Sequence, residues 1–195
     1  FWLKRDSRAE TSSSSTTIEQ TTKSSNETNH HSTTPFIIMA GVTDKKLAEL
    51  GITLPPCVVP MASYVPFVRT GNVVFMSGQI PKTENGMLIG KLGHDYSIEQ
   101  GQEAARQCAI NMISAMKEAC GGDLDKVKQV LKVEGFVNST PEFTDHPKVI
   151  NGFSDLMAQV FEERGKHARF ALGVSNLPLG VAVEVGAAFE IMPDA

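Results

Sequence analysis

The segment 166–193 constrains the fold of this chain more than any other. β-Branched and other apolar residues alternate along it on both sides of 176–180, a stretch that contains Pro178 and Gly180. Such a pattern predicts two strands joined by a turn, that is, a hairpin. Because successive side chains of a strand point to opposite faces, each strand can be divided into two faces by taking alternate residues.

Each predicted strand carries one charged residue among small side chains. Arg169 shares a face with Ala171 and Gly173, and Glu184 shares one with alanine and glycine residues. Small side chains around a charge leave a depression in the surface of the sheet. A charge at the bottom of this depression costs several kcal/mol unless it is paired, so the pattern predicts a shallow polar cleft for a small anion. The large residues of the alternate faces are expected in a core: Phe170, Leu172, Val174, Val181, Val183, Val185 and Phe189.

Two structural explanations for these charges stay open beside the cleft. Arg169 and Glu184 could pair with each other, or both could lie on a solvated sheet face, since ion-pair networks also place single charges on sheets. The irregular turn hides the cross-strand register. The sequence therefore does not show whether the two charges meet.

Length and composition limit the class of protein. With 195 residues, 41% of them hydrophobic, the chain is expected to form one globular domain with an additional segment. The net charge of −4 argues against a general nucleic-acid binder. Three scattered cysteines without metal-ligand spacing predict reduced thiols in an intracellular compartment. No apolar run approaches the length of a membrane span.

The first residues of the chain differ in composition from the rest. Ser and Thr dominate 11–34, where Ile18 is the only large hydrophobic residue, so this stretch cannot bury enough surface to offset its ordering entropy. We expect a disordered extension over 1–38 and a folded domain over 39–195. The Ser-rich, partly basic start weakly resembles a mitochondrial transit peptide, but its acidic residues argue against one. A cytoplasmic location is expected, with a mitochondrial one as the alternative.

Periodicity predicts helices and strands in a definite order along the domain. Ser97 and Gln100 form a capping box that opens a long helix, and Pro147 opens a second one. A short helix over 43–51 has a capping residue in front and a glycine at its end. The order hairpin, helix, strand, helix, hairpin predicts an α+β fold with two helices on one face of a mixed sheet. The remaining elements are a hairpin over 64–79, a polar loop over 82–96 and a strand over 128–138.

Several motifs, taken in order, resemble the Rid (YjgF) family. They are Tyr64, the Ser-Gly-Gln-Ile-Pro run at 77–81, and a C-terminal group. That group consists of Arg169, a Leu-Pro pair, and the Val-Ala-Val-Glu-Val run at 181–185. The resemblance covers roughly residues 60–192 and points to the branch labelled endoribonuclease L-PSP or chorismate mutase-like.

The resemblance implies a chorismate mutase-like (YjgF-like) fold and a homotrimer with its sites between subunits. It also implies hydrolysis of reactive 2-imino and enamino acids, such as 2-aminoacrylate and 2-iminobutanoate, to 2-keto acids and ammonia. No metal or organic cofactor is expected. Arg169 is the expected carboxylate anchor, because a planar guanidinium can form two parallel hydrogen bonds. Glu184 is the expected general acid or base, and His167 either contacts the cleft or is exposed.

Further residues are expected to bind the substrate. Gly78 would offer its backbone, and Tyr64 would line the wall. Ala171 stands where the best-known members have cysteine; alanine serves equally if that position works through its backbone, and the rate or substrate range differs if the thiol matters. Ser154 stands where some relatives have an asparagine, with Asn151 one turn earlier on the same helix.

Other functions compete with the deaminase. A non-catalytic regulatory module could use the same cleft to bind small carboxylates. An endoribonuclease is disfavoured by the acidic charge and by the lack of a basic stripe interleaved with aromatic residues. Chorismate mutase activity would rest on fold analogy alone. The expected partners are a small carboxylate substrate and further copies of the chain, without a membrane.

Overall fold

Two long helices lie on one face of a five-stranded sheet in the computed structural model, which describes residues 41–57 and 63–193. The extension predicted to be disordered, over 1–38, lies outside the described residues. The helices are α1 Val42–Glu49, α2 Ile98–Ala119 and α3 His146–Phe161. The strands are β1 Phe67–Thr70, β2 Val73–Gln79, β3 Lys82–Thr83, β4 Gly86–Met87, β5 Val127–Asn138, β6 Ala168–Val174 and β7 Val183–Ile191. The predicted α+β class, with two helices on one face of a mixed sheet, is confirmed.

The long helices begin where the sequence predicts. Ser97 Oγ accepts a hydrogen bond from the Gln100 amide at 3.2 Å, and Gln100 Oε1 accepts one from the Ser97 amide at 2.8 Å. These two bonds complete the capping box of α2. Pro147 lies in the first turn of α3, where its missing N–H leaves no helical hydrogen bond unmade.

A distant carboxylate, rather than a neighbouring side chain, caps α1. The residue before this helix is Gly41, which has no side chain to offer. Instead, the amides of Val42 and Thr43 donate to the Asp125 carboxylate at 2.8 and 2.9 Å. The expectation of a local capping residue is therefore wrong. Because the first amides of a helix lack acceptors within the helix, Asp125 ties α1 to the start of β5.

The last two strands do not form a hairpin. The strand order is β1-β2-β7-β5-β6, so β5 lies between β6 and β7. Strand β6 runs parallel to β5, and β7 runs antiparallel to it. The connection crosses the end of β5, where the Ser139 amide donates to Val174 O at 3.1 Å and the Asn138 amide donates to Ala182 O at 2.9 Å. The predicted pairing of the last two strands is wrong because β5, which lies far upstream in the sequence, pairs with the backbone groups of both.

Among the described residues, helices cover only one face of the sheet. Val183, Val185 and Phe189 are buried on the covered side, as predicted. The uncovered side, called the open face here, exposes large apolar side chains, and Phe170 and Leu172 keep 55% and 51% of their surface. The expectation of a core around these residues is therefore wrong within one subunit, because α3 covers the alternate residues of β6. The open face comprises Val68, Phe75, Lys132, Glu134, Phe136, Phe170, Leu172, Glu184, Gly186 and Ala188.

The segment predicted as a polar loop is more ordered than expected. Strands β3 and β4 pair antiparallel within it. The loop then continues along the end of β5, where the Leu92 amide donates to Asn138 O at 2.9 Å. Among the described residues, no helix has the length and apolarity needed to span a membrane.

Candidate functional site

Arg169 lies near the start of β6, on the side that faces α3. Its Nη1 donates to Asn151 Oδ1 and to Ser154 Oγ, each at 3.0 Å, and its Nη2 lies 3.4 Å from Pro147 O. Because β6 is an edge strand, this guanidinium is held against the helix and still reaches solvent. Ser154 stands where some relatives have an asparagine, and Asn151 lies one turn earlier. Both residues bind Arg169.

The positive charge of Arg169 is not neutralised by any carboxylate among residues 41–57 and 63–193. The bonds to α3 use three of the five N–H groups of the guanidinium, so two remain for another acceptor. A cavity of about 300 Å³, called the Arg169 cleft here, opens beside it. Its lining residues are Ser154, Asp155, Ala158, Gly165, Lys166, His167 and Arg169.

His167 lines the Arg169 cleft. Its Nδ1 lies 2.6 Å from Gly165 O, and its Nε2 lies 3.0 Å from Ser154 Oγ. Burial lowers the pKa of His167, the Gly165 carbonyl opposes that change, and the charge of Arg169 adds to it. The ring is therefore neutral at neutral pH, and it orients the serine that also binds Arg169.

Glu184 points to the open face, opposite to Arg169. In the register of the sheet, Glu184 pairs with Phe136, whereas Arg169 pairs with Val133, and residues an odd number apart on β5 face opposite sides. Strand β5 also separates the two strands that carry the charges. Of the explanations left open by the sequence, pairing between Arg169 and Glu184 within one subunit is therefore excluded.

Gly78 lies directly against Glu184. A Cβ built on Gly78 would lie 3.2 Å from Cδ of Glu184 and closer still to Oε1, so only glycine leaves room for this carboxylate. The carboxyl is half-buried, and burial raises its pKa. A raised pKa brings a carboxylic acid nearer to the range in which it can exchange protons at neutral pH.

Tyr64 and Ala171 complete the set of predicted residues. Tyr64 is 57% exposed and precedes β1, which is the opposite edge of the sheet from β6. Ala171 follows Arg169 on the helix-facing side, where it is half-buried and packs against the core. Within one subunit, Arg169, Ala171 and Ser154 thus form one group, Gly78 and Glu184 form a second, and Tyr64 stands at the far edge.

A second polar pocket was missed by sequence reasoning. Lys91, Ser139 and His146 line a cavity of about 390 Å³ at the ends of β5 and β6. These residues come from a loop, a strand end and a helix start, and no local motif connects them. Only the pairing of the loop after β4 with the end of β5 brings them together.

The fold and these groups define an α+β protein with a cleft beside an arginine at a sheet edge and a half-buried carboxyl on its open face. The chain belongs to the YjgF/chorismate mutase-like (Rid) family, whose sequence profile matches residues 44–188. The resemblance found in its motifs is confirmed.

Relatives of the chain include protein TCP17 of Trypanosoma cruzi, 46% identical over 157 residues, which cover 80% of this chain and 98% of the relative. A 2-iminobutanoate/2-iminopropanoate deaminase of Dermatophagoides farinae is 31% identical over 136 residues, covering 69% of this chain and 90% of the relative. Among solved structures, protein Atu1372 of Agrobacterium tumefaciens, of unknown function, is 43% identical with a TM-score of 0.72, covering 77% of this chain and 94% of that one.

Proposed function

We propose that this protein hydrolyses reactive 2-imino acids and their enamine tautomers to 2-keto acids and ammonia. The observation that carries the proposal is Arg169, held in place by Asn151 and Ser154 without a carboxylate partner among the described residues. A cation that is fixed but not neutralised is prepared for the carboxylate of a small substrate. The relative that is named a 2-iminobutanoate/2-iminopropanoate deaminase supports this substrate class.

The reaction needs one water molecule and one proton-transfer group beside the bound carboxylate. Water adds to the carbon of the C=N bond, and the resulting carbinolamine expels ammonia to leave the 2-keto acid. Glu184 is the proposed general acid and base, since burial raises the pKa of its carboxyl. The backbone of Gly78 would contact the substrate next to Glu184, Tyr64 would line the wall, and Ala171 would contribute through its backbone.

We further propose that each site forms between two subunits of a homotrimer. Arg169 and Glu184 lie on opposite faces of the sheet, two strand spacings apart, and a substrate of a few atoms cannot reach both within one subunit. The apolar open face also favours assembly, since large exposed apolar patches are typical of interfaces. Cyclic closure would place the Arg169 side of one subunit against the Glu184 side of the next.

The test of the activity is a coupled assay in which a threonine dehydratase supplies 2-iminobutanoate and its disappearance is followed. The purified protein is expected to accelerate the disappearance, and Arg169→Ala and Glu184→Gln are each expected to lose about a hundredfold or more. No acceleration, or full activity in Arg169→Ala, overturns the deaminase. If the product 2-oxobutanoate stabilises the protein against heat but the protein does not accelerate the disappearance of 2-iminobutanoate, the protein is the non-catalytic module instead.

A mixing experiment tests the position of the site. Arg169→Ala and Glu184→Gln chains, each inactive alone, are refolded together in equal amounts. In a randomly mixed trimer, about a quarter of the interfaces combine an intact arginine with an intact glutamate, so about a quarter of the wild-type activity should return. If each subunit contained a complete site by itself, no activity would be recovered on mixing.

A further inference from the structure

The Lys91 pocket is a cavity apart from the Arg169 cleft, defined by the residues that line it. Its volume of about 390 Å³ falls in the range of small-molecule sites, about 300–1,000 Å³. It shares no lining residue with the Arg169 cleft. The lining residues are Lys91, Ser139, Thr140, Pro141, Phe143, His146, Gly173, Val174 and Ser175.

A buried asparagine fixes the position of Lys91. The side-chain amide of Asn138 donates to Gly90 O at 3.0 Å and to Val181 O at 3.3 Å, which leaves Oδ1 to accept. Lys91 Nζ donates to this oxygen and to Ser175 O, each at 2.5 Å. Asn138 is only 4% exposed, so its orientation is set by the fold and not by solvent. Lys91 is therefore an anchored ammonium rather than a mobile surface lysine.

The charge of Lys91 is available to a ligand. Both acceptors of its ammonium, an amide oxygen and a backbone carbonyl, are neutral, and no carboxylate within the described part of the chain pairs with Nζ. An ammonium has three N–H groups, of which these bonds use two. The third N–H and the full positive charge remain for an anion at the wall of the pocket.

A hydroxyl and an imidazole stand together in the same pocket. Ser139 Oγ lies 3.0 Å from His146 Nε2. This contact requires Gly173, because a Cβ there would lie 2.7 Å from Ser139 Oγ and closer still to the imidazole nitrogen. Burial lowers the pKa of His146, although Asp145 acts in the opposite direction. The ring is thus neutral at neutral pH, and Lys91 is the pocket's one lining residue with a charge.

We propose that the Lys91 pocket is a second binding site, separate from the Arg169 cleft, for a small organic monocarboxylate. The Lys91 ammonium binds the carboxylate, the Ser139–His146 pair lies beside it as a neutral polar group, and Pro141, Phe143 and Val174 cover the carbon end of the ligand. A single cation matches a single negative charge, whereas a phosphate dianion usually requires several donors with more positive charge. The proposal does not depend on the deaminase reaction.

The test uses the full chain with Arg169→Ala, so that the first cleft cannot bind a carboxylate. 3,3,3-Trifluoropropanoate is titrated at about pH 7.5, where His146 is neutral, and binding is followed by fluorine NMR. Saturable binding is expected, and addition of Lys91→Met should weaken it at least tenfold. Lys128→Met is the matched control, because this lysine lies at the other end of β5 and pairs with Glu190, so its loss should leave the affinity unchanged.

A neutral ligand of the same shape distinguishes charge from shape. 3,3,3-Trifluoropropanamide should not bind, and inorganic phosphate should not displace the carboxylate at equal concentration. No saturable binding in the Arg169→Ala chain, equal binding of the amide, displacement by phosphate, or unchanged affinity in Lys91→Met each overturns the proposal. If Lys91→Met fails to fold, the NMR chemical shifts of backbone amides in the Arg169→Ala chain are followed as the ligand is added. Changes at Ser139, Thr140 and Ser175 support the site. Changes confined to 154–169 overturn it.

Discussion

Arg169 and Glu184 lie on opposite faces of one sheet, with strand β5 between the strands that carry them. The two charges consequently have different surroundings: Arg169 is hydrogen-bonded to polar groups of α3, and the half-buried Glu184 carboxyl lies against Gly78. Changes at these two residues should therefore affect different properties of the subunit, and in the proposed trimer their effects become coupled where two subunits meet.

Glu184→Gln should raise the free energy of unfolding at neutral pH and leave it unchanged in acid. Burial raises the pKa of this carboxyl, so the folded protein binds its proton more tightly than the unfolded chain does. Wild-type stability consequently falls as the pH rises from the unfolded pKa through the folded pKa. Replacing Glu184 with glutamine removes this pH-dependent loss of stability. Urea unfolding of both proteins at about pH 4 and about pH 8 measures the difference in the free energy of unfolding. Glu142→Gln, in the exposed loop before α3, is the control. Equal effects of Glu184→Gln at both pH values would contradict the prediction.

Gly78→Ala should lower the proposed deaminase activity about tenfold or more while the protein stays folded. The added methyl group would overlap the Glu184 carboxylate, which must then turn away from its position. Gly186→Ala on the same face is the matched control, because a Cβ there meets nothing within 4 Å inside the subunit. The coupled assay and a thermal unfolding curve are measured for both variants. Wild-type activity in Gly78→Ala would show that the position of this carboxylate does not matter.

Leu172→Glu should convert the proposed trimer to monomers and abolish the proposed deaminase activity with it. Leu172 exposes 51% of its surface on the open face, in register with Phe136, which on its other side pairs with Glu184. A buried, unpaired carboxylate at an interface costs several kcal/mol. Light scattering coupled to size exclusion gives the mass. Val42→Glu is the control, since this residue is 74% exposed on α1, away from the open face, and its change should leave the mass as it is. An intact trimer in Leu172→Glu places the interface elsewhere.

Asp125→Asn should destabilise the fold by about 1 kcal/mol at neutral pH, because a charged cap of α1 is lost. Burial alone would raise the pKa of Asp125, but hydrogen bonds from Thr43 and Val42, together with Arg164, lower it overall. Its stabilising contribution is therefore present above the unfolded pKa and disappears as the pH falls through the folded pKa. Urea unfolding should show the difference shrinking in acid. Glu49→Gln, at the exposed end of the same helix, should change little at any pH.

Local signals in the sequence were sufficient for the starts of the two long helices and for the two faces of the last strands, although they missed the short strands β3 and β4. The capping box at Ser97 and the proline at 147 mark helix starts through contacts within one turn, so neighbouring residues decide them. The alternation in β6 and β7 likewise separates the residues of each strand into two faces, because side-chain parity is a property of the strand alone. Motif order then led to the family, which the profile match over 44–188 supports.

The tertiary structure alone decided which strand pairs with which, and so which face of β6 the helices cover. Strand β5 enters between β6 and β7 because its backbone groups, thirty or more residues upstream, satisfy both neighbours at once. That insertion separates Arg169 from Glu184 and leaves Phe170 and Leu172 on the open face. The pairing of the loop after β4 with the end of β5 brings Lys91 to Asn138. Hydrogen bonds and packing between residues distant in sequence carry no local periodicity, and only the folded chain displays them.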